Sequence, residues 1–222
     1  MPETYCARAI VLSRRPYRGY DNRVSVYSRE RGKLELLVKG ARRPASKLAA
    51  HLEPLTLLDL MVVSGKIPFA GAAVSRNCYP HLKSDFEKVS AAGAAIGRLN
   101  RLLKEHIADE ELFSLTEDFL HILDTHTAEE SWYQWISNMF LYKVLERLGY
   151  GINFATYVPE KGQPRLVPEA KTSLVHTQNL SLSEIAKLKV LRKPLAEMNS
   201  FLEVWIRNIS EFLIFNFIIF KA

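Results

Sequence analysis

Residues 23–38 read RVSVYSRERGKLELLV, and the spacing of their apolar side chains indicates the architecture of the first part of the chain. Arg23–Ser28 alternates polar and apolar side chains with a period of two, and Lys33–Val38 follows after Gly32. Such alternation is typical of half-buried strands, and a turn residue between two such runs predicts a β-hairpin. We therefore expect these two runs to form the second and third strands of an antiparallel sheet.

Three further runs in the first 80 residues predict strands. Ala7–Leu12 is a short apolar run, Leu55–Ser64 is a longer one, and Phe69–Ser75 is small and apolar. Five short strands separated by turn residues, in about 75 residues, are typical of a small antiparallel barrel. We predict a five-stranded barrel of the OB (oligonucleotide- and oligosaccharide-binding) type, and the strand order stays open.

From residue 81 onwards the apolar residues follow a helical period. Three segments predict helix starts, because Ser or Thr followed by Glu three residues later forms a capping box. They are residues 84–87, 127–130 and 181–184. Gly149 is expected to end the third helix, and Pro194 suits the first turn of the last one. The predicted helices cover residues 84–106, 109–123, 127–148, 181–193 and 194–221.

The order of these elements predicts an α+β fold, in which an OB barrel in residues 1–80 precedes an α-helical bundle domain in residues 81–222. Strands and helices that are segregated along a chain indicate this class, or two separate domains. Residues 155–180 contain three prolines and no helical period. We therefore predict that this segment is a loop excursion within the helical domain.

The sequence contains none of the motifs that would indicate an enzyme, such as a GxxxxGK[ST] phosphate loop, HExxH or GxSxG. Cys6 and Cys78 are its only cysteines, which are too few for a four-cysteine zinc site. A run of about 20 uncharged apolar residues is also missing, which argues against an integral membrane protein. We expect a non-enzymatic cytoplasmic protein without catalytic residues, metal or other cofactor.

The positive charge of the chain is concentrated in its first third. The net charge is +6, but residues 1–80 hold 14 Lys and Arg against 6 Asp and Glu. Clustered guanidinium and ammonium groups are the usual partners of phosphates, so this segment favours a polyanion.

Two basic clusters carry this excess, and both are interrupted by Gly and Pro, as loops are. In the first, aromatic rings alternate with guanidinium groups, so that exposed bases could stack on a tyrosine while arginines hold phosphates. In the second, Gly40 would let the backbone approach a phosphate closely. The candidate DNA-binding residues are Arg14, Arg15, Tyr17, Arg18, Tyr20 and Arg23 in the first cluster, and Lys39, Arg42, Arg43 and Lys47 in the second.

Three other interpretations stay open. The clusters could be solvated turns, with the tyrosines packed at the edge of the core. An OB barrel with basic loops could bind single-stranded RNA instead of DNA. A protein-interaction scaffold could use the same loops to dock an acidic partner protein.

The chain resembles the bacterial RecO family of recombinational DNA repair proteins. The segments that carry the resemblance are Arg15-Pro16-Tyr17 followed by Asp21, Ser28-Arg29-Glu30-Arg31-Gly32-Lys33, Val38-Lys39-Gly40-Ala41-Arg42-Arg43 with Ser46, Leu52-Glu53-Pro54-Leu55, and Leu145 to Phe154.

The resemblance implies a non-enzymatic protein that binds single- and double-stranded DNA and anneals complementary strands. Such proteins help to load the recombinase RecA on DNA coated by the single-strand binding protein SSB, together with RecR and in some cases with RecF. The DNA-contacting residues of the family correspond to Lys39, Arg42 and Arg43. The resemblance also implies a cytoplasmic, nucleoid-associated protein.

Two further expectations follow from the resemblance. The C-terminal tail of SSB is acidic with an apolar end, so its pocket needs a cation beside an apolar recess. Lys143, Arg147 and Arg192 are the candidates for that cation. Many family members carry a four-cysteine zinc module after the glycine-rich end of the third helix, but residues 155–169 contain no cysteine, so no zinc is expected.

The apolar segment Phe212–Phe220 is predicted to be a buried bundle helix, or else an exposed patch for a partner.

Overall fold

The computed structural model describes residues 3–153, 156–158, 165–166, 168–188 and 192–219, with only the backbone for residues 192–194 and 210–219. The chain divides into two compact units, Met1–Asp124 and Thr125–Ala222. The expected domain boundary near residue 80 falls at the end of the strands, well before this division.

Five strands form the sheet of the first unit. They are β1 (Thr4–Tyr17), β2 (Asp21–Ser28), β3 (Gly32–Val38), β4 (Leu57–Val63) and β5 (Phe69–Asn77). They pair in the order β1-β2-β3-β5-β4, and β4 pairs back with β1, which closes the barrel. All pairings are antiparallel except that of β3 with β5, which meet in parallel at Leu37 and Phe69. The predicted α+β class with an N-terminal OB-type barrel is confirmed.

The barrel has an apolar interior because alternate residues of its strands are apolar and face inward. On β3, every second residue from Gly32 is buried, and Leu34 and Leu36 are 1% exposed. Val24 and Val26 of β2 belong to the same core cluster. Full burial of a side chain of this size contributes roughly 1.5–3 kcal/mol. The register of β2 and β3 is therefore strongly fixed, which also fixes the residues at the ends of the hairpin.

Eight helices follow the strands or connect them in the described part of the chain. They are α1 (Lys47–His51), α2 (Pro80–Lys83), α3 (Phe86–Leu102), α4 (Glu110–Thr125), α5 (Glu130–Arg147), α6 (Pro168–Thr177), α7 (Leu182–Ile185) and α8 (Arg192–Ile219). Within the residues described, none of these helices is both long and apolar enough to cross a membrane.

Two of the three predicted capping boxes are wrong. Helix α3 is capped by Asp85, whose Oδ1 accepts from the backbone N–H groups of Glu87 and Lys88, while Ser84 ends the preceding helix. Helix α5 begins after Glu129, which makes no side-chain capping bond. The box at Ser181 is confirmed in full, but the helix that it opens, α7, has only four residues.

The predicted loop excursion at residues 155–180 is wrong in its second half, because helix α6 lies there. Pro168 occupies the first turn of α6, where a missing N–H costs nothing. Ala170, Leu174 and Thr177 form its buried face, at spacings of four and three. The helix has only ten residues, so its apolar period repeats too few times to be recognised in the sequence. Residues 159–164 of the predicted loop lie outside the described residues.

A polar network centred on Asn100 attaches α3 to the barrel. The Ser25 hydroxyl donates to Asn100 Oδ1 at 3.0 Å, and Asn100 Nδ2 donates to Ser13 Oγ at 3.3 Å. The Lys33 ammonium donates to the Asn100 carbonyl oxygen at 2.6 Å. One residue of α3 thus contacts three consecutive strands, which explains why the first compact unit continues beyond the barrel.

Candidate nucleic-acid interface

The turn between β1 and β2 presents the first basic cluster at one end of the barrel. It consists of Arg18, Gly19 and Tyr20, and the N–H of Asp21 donates to the Arg18 carbonyl oxygen at 3.2 Å. Gly19 has a φ of +58°, a conformation that a residue with a Cβ adopts only at a cost. The turn is tight, and it leaves Tyr20 62% exposed.

The loop that follows β3 presents the second basic cluster. Gly40 has a φ of +62°, which turns the chain immediately after the strand. The Arg43 N–H donates to the Gly40 carbonyl oxygen and the Ser46 N–H donates to the Arg43 carbonyl oxygen, each at 3.0 Å. These successive turns hold Arg42 and Arg43 on the surface, where both are exposed.

The structure brings the two clusters together, although they are separated by about 20 residues of chain that form the β2–β3 hairpin. Asp21 Oδ1 accepts from the Gly40 N–H at 2.7 Å. The Arg42 N–H donates to the Tyr20 carbonyl oxygen at 2.8 Å, and its guanidinium donates to the Gly19 carbonyl oxygen at 3.2 Å. We call the surface formed by residues 17–23 and 39–43 the basic end of the barrel.

Four of the five cations of the basic end, all except Arg42, contact aromatic rings instead of carboxylates. The Arg43 guanidinium lies 5.8 Å from the centre of the Tyr20 ring, and the Lys39 ammonium lies 4.9 Å from that of Phe69. Tyr17 is half-buried, with the Arg18 and Arg23 guanidiniums 5.5 Å and 5.1 Å from its ring centre. A cation over a ring keeps its charge available for an anion, whereas an ion pair does not.

Two predicted binding residues have their charges compensated. Arg14 pairs with Glu53 at 2.7 Å and is only 29% exposed, and Arg15 lies 3.7 Å from Glu35. In the described residues, no carboxylate lies within ion-pair distance of the remaining predicted cations. These are Arg18, Arg23, Lys39, Arg42, Arg43 and Lys47, of which Lys47 is the exposed first residue of α1.

The arginines at the opposite end of the β2–β3 hairpin are paired with acidic residues. Arg29 pairs with Glu110 of α4, and Arg31 pairs with Glu3 at 3.5 Å. The charge in the first 80 residues is therefore neutralised at this end and uncompensated at the basic end. Seven to eight residues of strand separate the two ends, which amounts to about 20 Å.

Asp21 and Phe69 have roles at the basic end that the sequence analysis did not assign. Asp21 ties the β1–β2 turn to Gly40, and Phe69 supports Lys39. The role of Asp21 could have been predicted, because in a β2–β3 hairpin the start of β2, where Asp21 lies, is beside the end of β3. No local pattern identifies Phe69, since it reaches this surface through the pairing of β5 with β3.

The cations proposed for a second partner site lie in the second unit. Lys143 and Arg147 are four residues apart on α5, so they are neighbours on the helix surface. Lys143 is half-buried and donates to the Gln178 carbonyl oxygen at 3.3 Å, whereas Arg147 is exposed. Hydrogen bonds from Ser181, and more weakly the charges of Lys187 and Lys143, lower the pKa of the Glu184 carboxyl. The side chains of Arg192 and of Phe212–Phe220 lie outside the described residues.

Comparison with known protein families finds matches over most of the chain. Residues 1–67 match the family described as "Recombination protein O N terminal", and residues 83–202 match the family described as "Recombination protein O C terminal".

Curated proteins named DNA repair protein RecO are similar to this chain. The protein from Heliobacterium modesticaldum is 31% identical over 147 residues, which cover 66% of this chain and 52% of the relative. That from Geobacter metallireducens is 31% identical over 124 residues, or 55% of this chain and 50% of the relative. That from Actinobacillus pleuropneumoniae is 31% identical over 148 residues, or 67% and 60%. The chain spans about half the length of the curated relatives that it matches.

Proposed function

This chain belongs to the RecO family, and from that premise we propose that it binds DNA at the basic end of its barrel as a non-enzymatic protein of recombinational repair. One observation carries the proposal. The two basic clusters meet at the basic end, where none of the carboxylates in the described residues lies within ion-pair distance of a cation. The arginines at the other end of the hairpin, in contrast, are paired with acidic residues. Such a surface gains free energy from phosphates by releasing their condensed counterions.

The proposed activity is annealing of complementary strands, which requires no bond-making step. Two DNA strands repel each other because each carries a regular array of phosphates. A cationic surface that neutralises several phosphates of one strand reduces this repulsion when the second strand approaches. The protein needs no catalytic residue for this, and we propose that it also works without a metal.

The proposed partners are those of the family. We propose that the protein assists the loading of RecA on single-stranded DNA coated by SSB, acting with RecR and with a functional link to RecF, at the nucleoid in the cytoplasm. Lys143, Arg147 and Arg192 stay candidates for holding the acidic tail of SSB. The support for these partners is membership of the family, not a feature of the described contacts.

The test of the proposal compares two double variants that remove equal charge. Lys39→Ala with Arg43→Ala removes two cations from the basic end. Arg29→Ala with Arg31→Ala removes two from the opposite end, about 20 Å away, which exceeds the Debye length of about 10 Å at 0.1 M salt. Arg42 is left in place because it also holds the β1–β2 turn.

We expect the Lys39/Arg43 variant to bind and anneal single-stranded DNA more weakly, and its log–log salt slope to fall by about 1.4, at about 0.7 per lost phosphate contact. The Arg29/Arg31 variant should keep the slope of the wild type. Binding is measured by fluorescence anisotropy at several salt concentrations, and annealing is measured with and without SSB. Equal losses in both variants would contradict the proposal, because they would indicate attraction by net charge alone. A preference for RNA over DNA of the same length in competition would favour RNA handling instead.

A further inference from the structure

Tyr20 combines exposure with a fixed backbone at the basic end. The residue is 62% exposed, and Phe86 is the only other exposed aromatic residue among the large hydrophobic residues in the described part of the chain. Its carbonyl oxygen accepts from the Arg42 N–H at 2.8 Å, and the neighbouring Gly19 carbonyl oxygen accepts from the Arg42 guanidinium. The backbone that carries the ring is therefore fixed by hydrogen bonds, while most of the residue is exposed to solvent.

Tyr17 is the other ring that could stack on a base, and its surroundings are different. It lies within β1, paired with Asp21, and it is half-buried. Two guanidiniums lie 5.5 Å and 5.1 Å from its ring centre, so its π-surface is already in contact with Arg18 and Arg23. Tyr20 has one such neighbour, Arg43, at 5.8 Å. The structure thus distinguishes two tyrosines that the sequence treats alike.

We infer that Tyr20 stacks on an unpaired base and makes the basic end selective for single-stranded over double-stranded nucleic acid. An exposed ring surrounded by cations offers the two contacts that a flexible strand requires, a π-face for the base and positive charges for the phosphates on either side. In a duplex each base is stacked on its neighbours and its faces are not accessible, so a duplex can use only the charges. This inference rests on the proposed DNA binding at the same surface, and it adds the class of ligand that the surface prefers.

The experiment uses the full chain and three probes of equal length. They are an all-thymine strand, a strand of abasic sites with the same phosphates, and a duplex, each of about 20 units, which exceeds the 4–16 nucleotides that an OB fold covers. The variants are Tyr20→Ala and Tyr20→Trp, with Phe86→Ala as the control because it removes an exposed ring from another element. We expect the variants to fold, because Tyr20 and Phe86 are both exposed, and circular dichroism checks this.

We expect Tyr20→Ala to lower the affinity for the thymine strand about 5- to 150-fold, which corresponds to the loss of one stacked base. Its affinity for the abasic strand and for the duplex should stay within about twofold of the wild type, with the salt slope unchanged, because no phosphate contact is lost. Tyr20→Trp should bind the thymine strand at least as tightly as the wild type, and Phe86→Ala should bind all three probes normally.

Two results would overturn the inference. An equal loss for all three probes would mean that the ring acts on the shape or charge of the loop, and unchanged binding of the thymine strand would mean that no base stacks on it. Both results leave DNA binding at the basic end intact if the Lys39/Arg43 variant still loses affinity for every probe. If the wild type binds none of the probes at low salt, it is the proposed function that fails.

Discussion

Asp21 is an acidic residue within a basic surface, where its charge opposes the binding of a phosphate. The structure explains its presence, because its Oδ1 accepts the Gly40 N–H at 2.7 Å and so joins the β1–β2 turn to the loop after β3. A hydrogen bond to a charged group contributes about 1.5–3 kcal/mol, more than a neutral one does. The residue therefore acts on binding in two opposite ways, through its charge and through the position of the loop.

Two substitutions of Asp21 separate these effects. Asp21→Asn and Asp21→Ala remove the same charge, but only asparagine keeps an oxygen that can accept the Gly40 N–H. We expect Asp21→Ala to be less stable to urea than Asp21→Asn, by about 1 kcal/mol in the free energy of unfolding. Anisotropy titrations should show weaker DNA binding for the alanine variant, because its two basic segments are no longer joined there. Equal affinity in both variants would show that charge alone matters at this position.

Helix α3 is attached to the barrel in part through one polar side chain, that of Asn100. Asn100 contacts Ser13 on β1 and Ser25 on β2, and Ser25 is 1% exposed. A buried hydroxyl that loses its partner has no water to replace it. The helix is thus attached by a specific contact as well as by its apolar face.

We expect Asn100→Ala to lower the free energy of unfolding by about 1–3 kcal/mol, the usual cost of leaving a buried polar group unsatisfied. Arg101→Ala is the matched control, because this neighbour on the same helix is exposed, and it should change stability by no more than about 0.5 kcal/mol. Urea unfolding followed by circular dichroism gives both values. Similar stability of the two variants would mean that packing alone holds α3.

The strands could be predicted from the sequence because their signal is local. The period of two in Arg23–Ser28 and Lys33–Val38 already identifies a buried and an exposed face. Helix starts were harder to predict where two capping residues are adjacent. Ser84 and Asp85 can both cap a helix, but Ser84 already ends α2, and Asp85 caps α3.

The candidate site was predictable only in part. The two basic clusters are visible in the sequence, and the hairpin pairing of Asn22 with Val38 brings them together. Which cations stay uncompensated is not visible, because it depends on contacts between distant segments. Arg14 pairs with Glu53 and Arg29 pairs with Glu110, and in both pairs the two residues are far apart in the sequence.

Charge is distributed unevenly over the first unit as a whole. The uncompensated cations lie at the start of β2 and the end of β3, whereas Arg29 at the other end of the hairpin pairs with the first residue of α4. Helix α4 contains five acidic residues and no Lys or Arg, and these are Glu110, Glu111, Glu117, Asp118 and Asp124.

The kinetics of binding should reflect this distribution. We expect the association rate constant with single-stranded DNA to fall about tenfold or more between low and physiological salt, because attraction at a distance is screened. Stopped-flow anisotropy measures this constant, and the Lys39/Arg43 variant should show a flatter dependence. An association rate that does not change with salt in the wild type would show that long-range attraction has no part in the encounter.

Because the basic end is cationic and the opposite end is neutralised by ion pairs, the charge of the first unit is asymmetric along β2 and β3, which gives the unit an electric dipole in that direction. A dipole rotates in the field of a polyanion before the two molecules touch, so the protein arrives with its cationic end in front. A larger fraction of collisions between protein and DNA then has the correct orientation for binding. The benefit is greatest in dilute salt, where the field extends furthest from the phosphates.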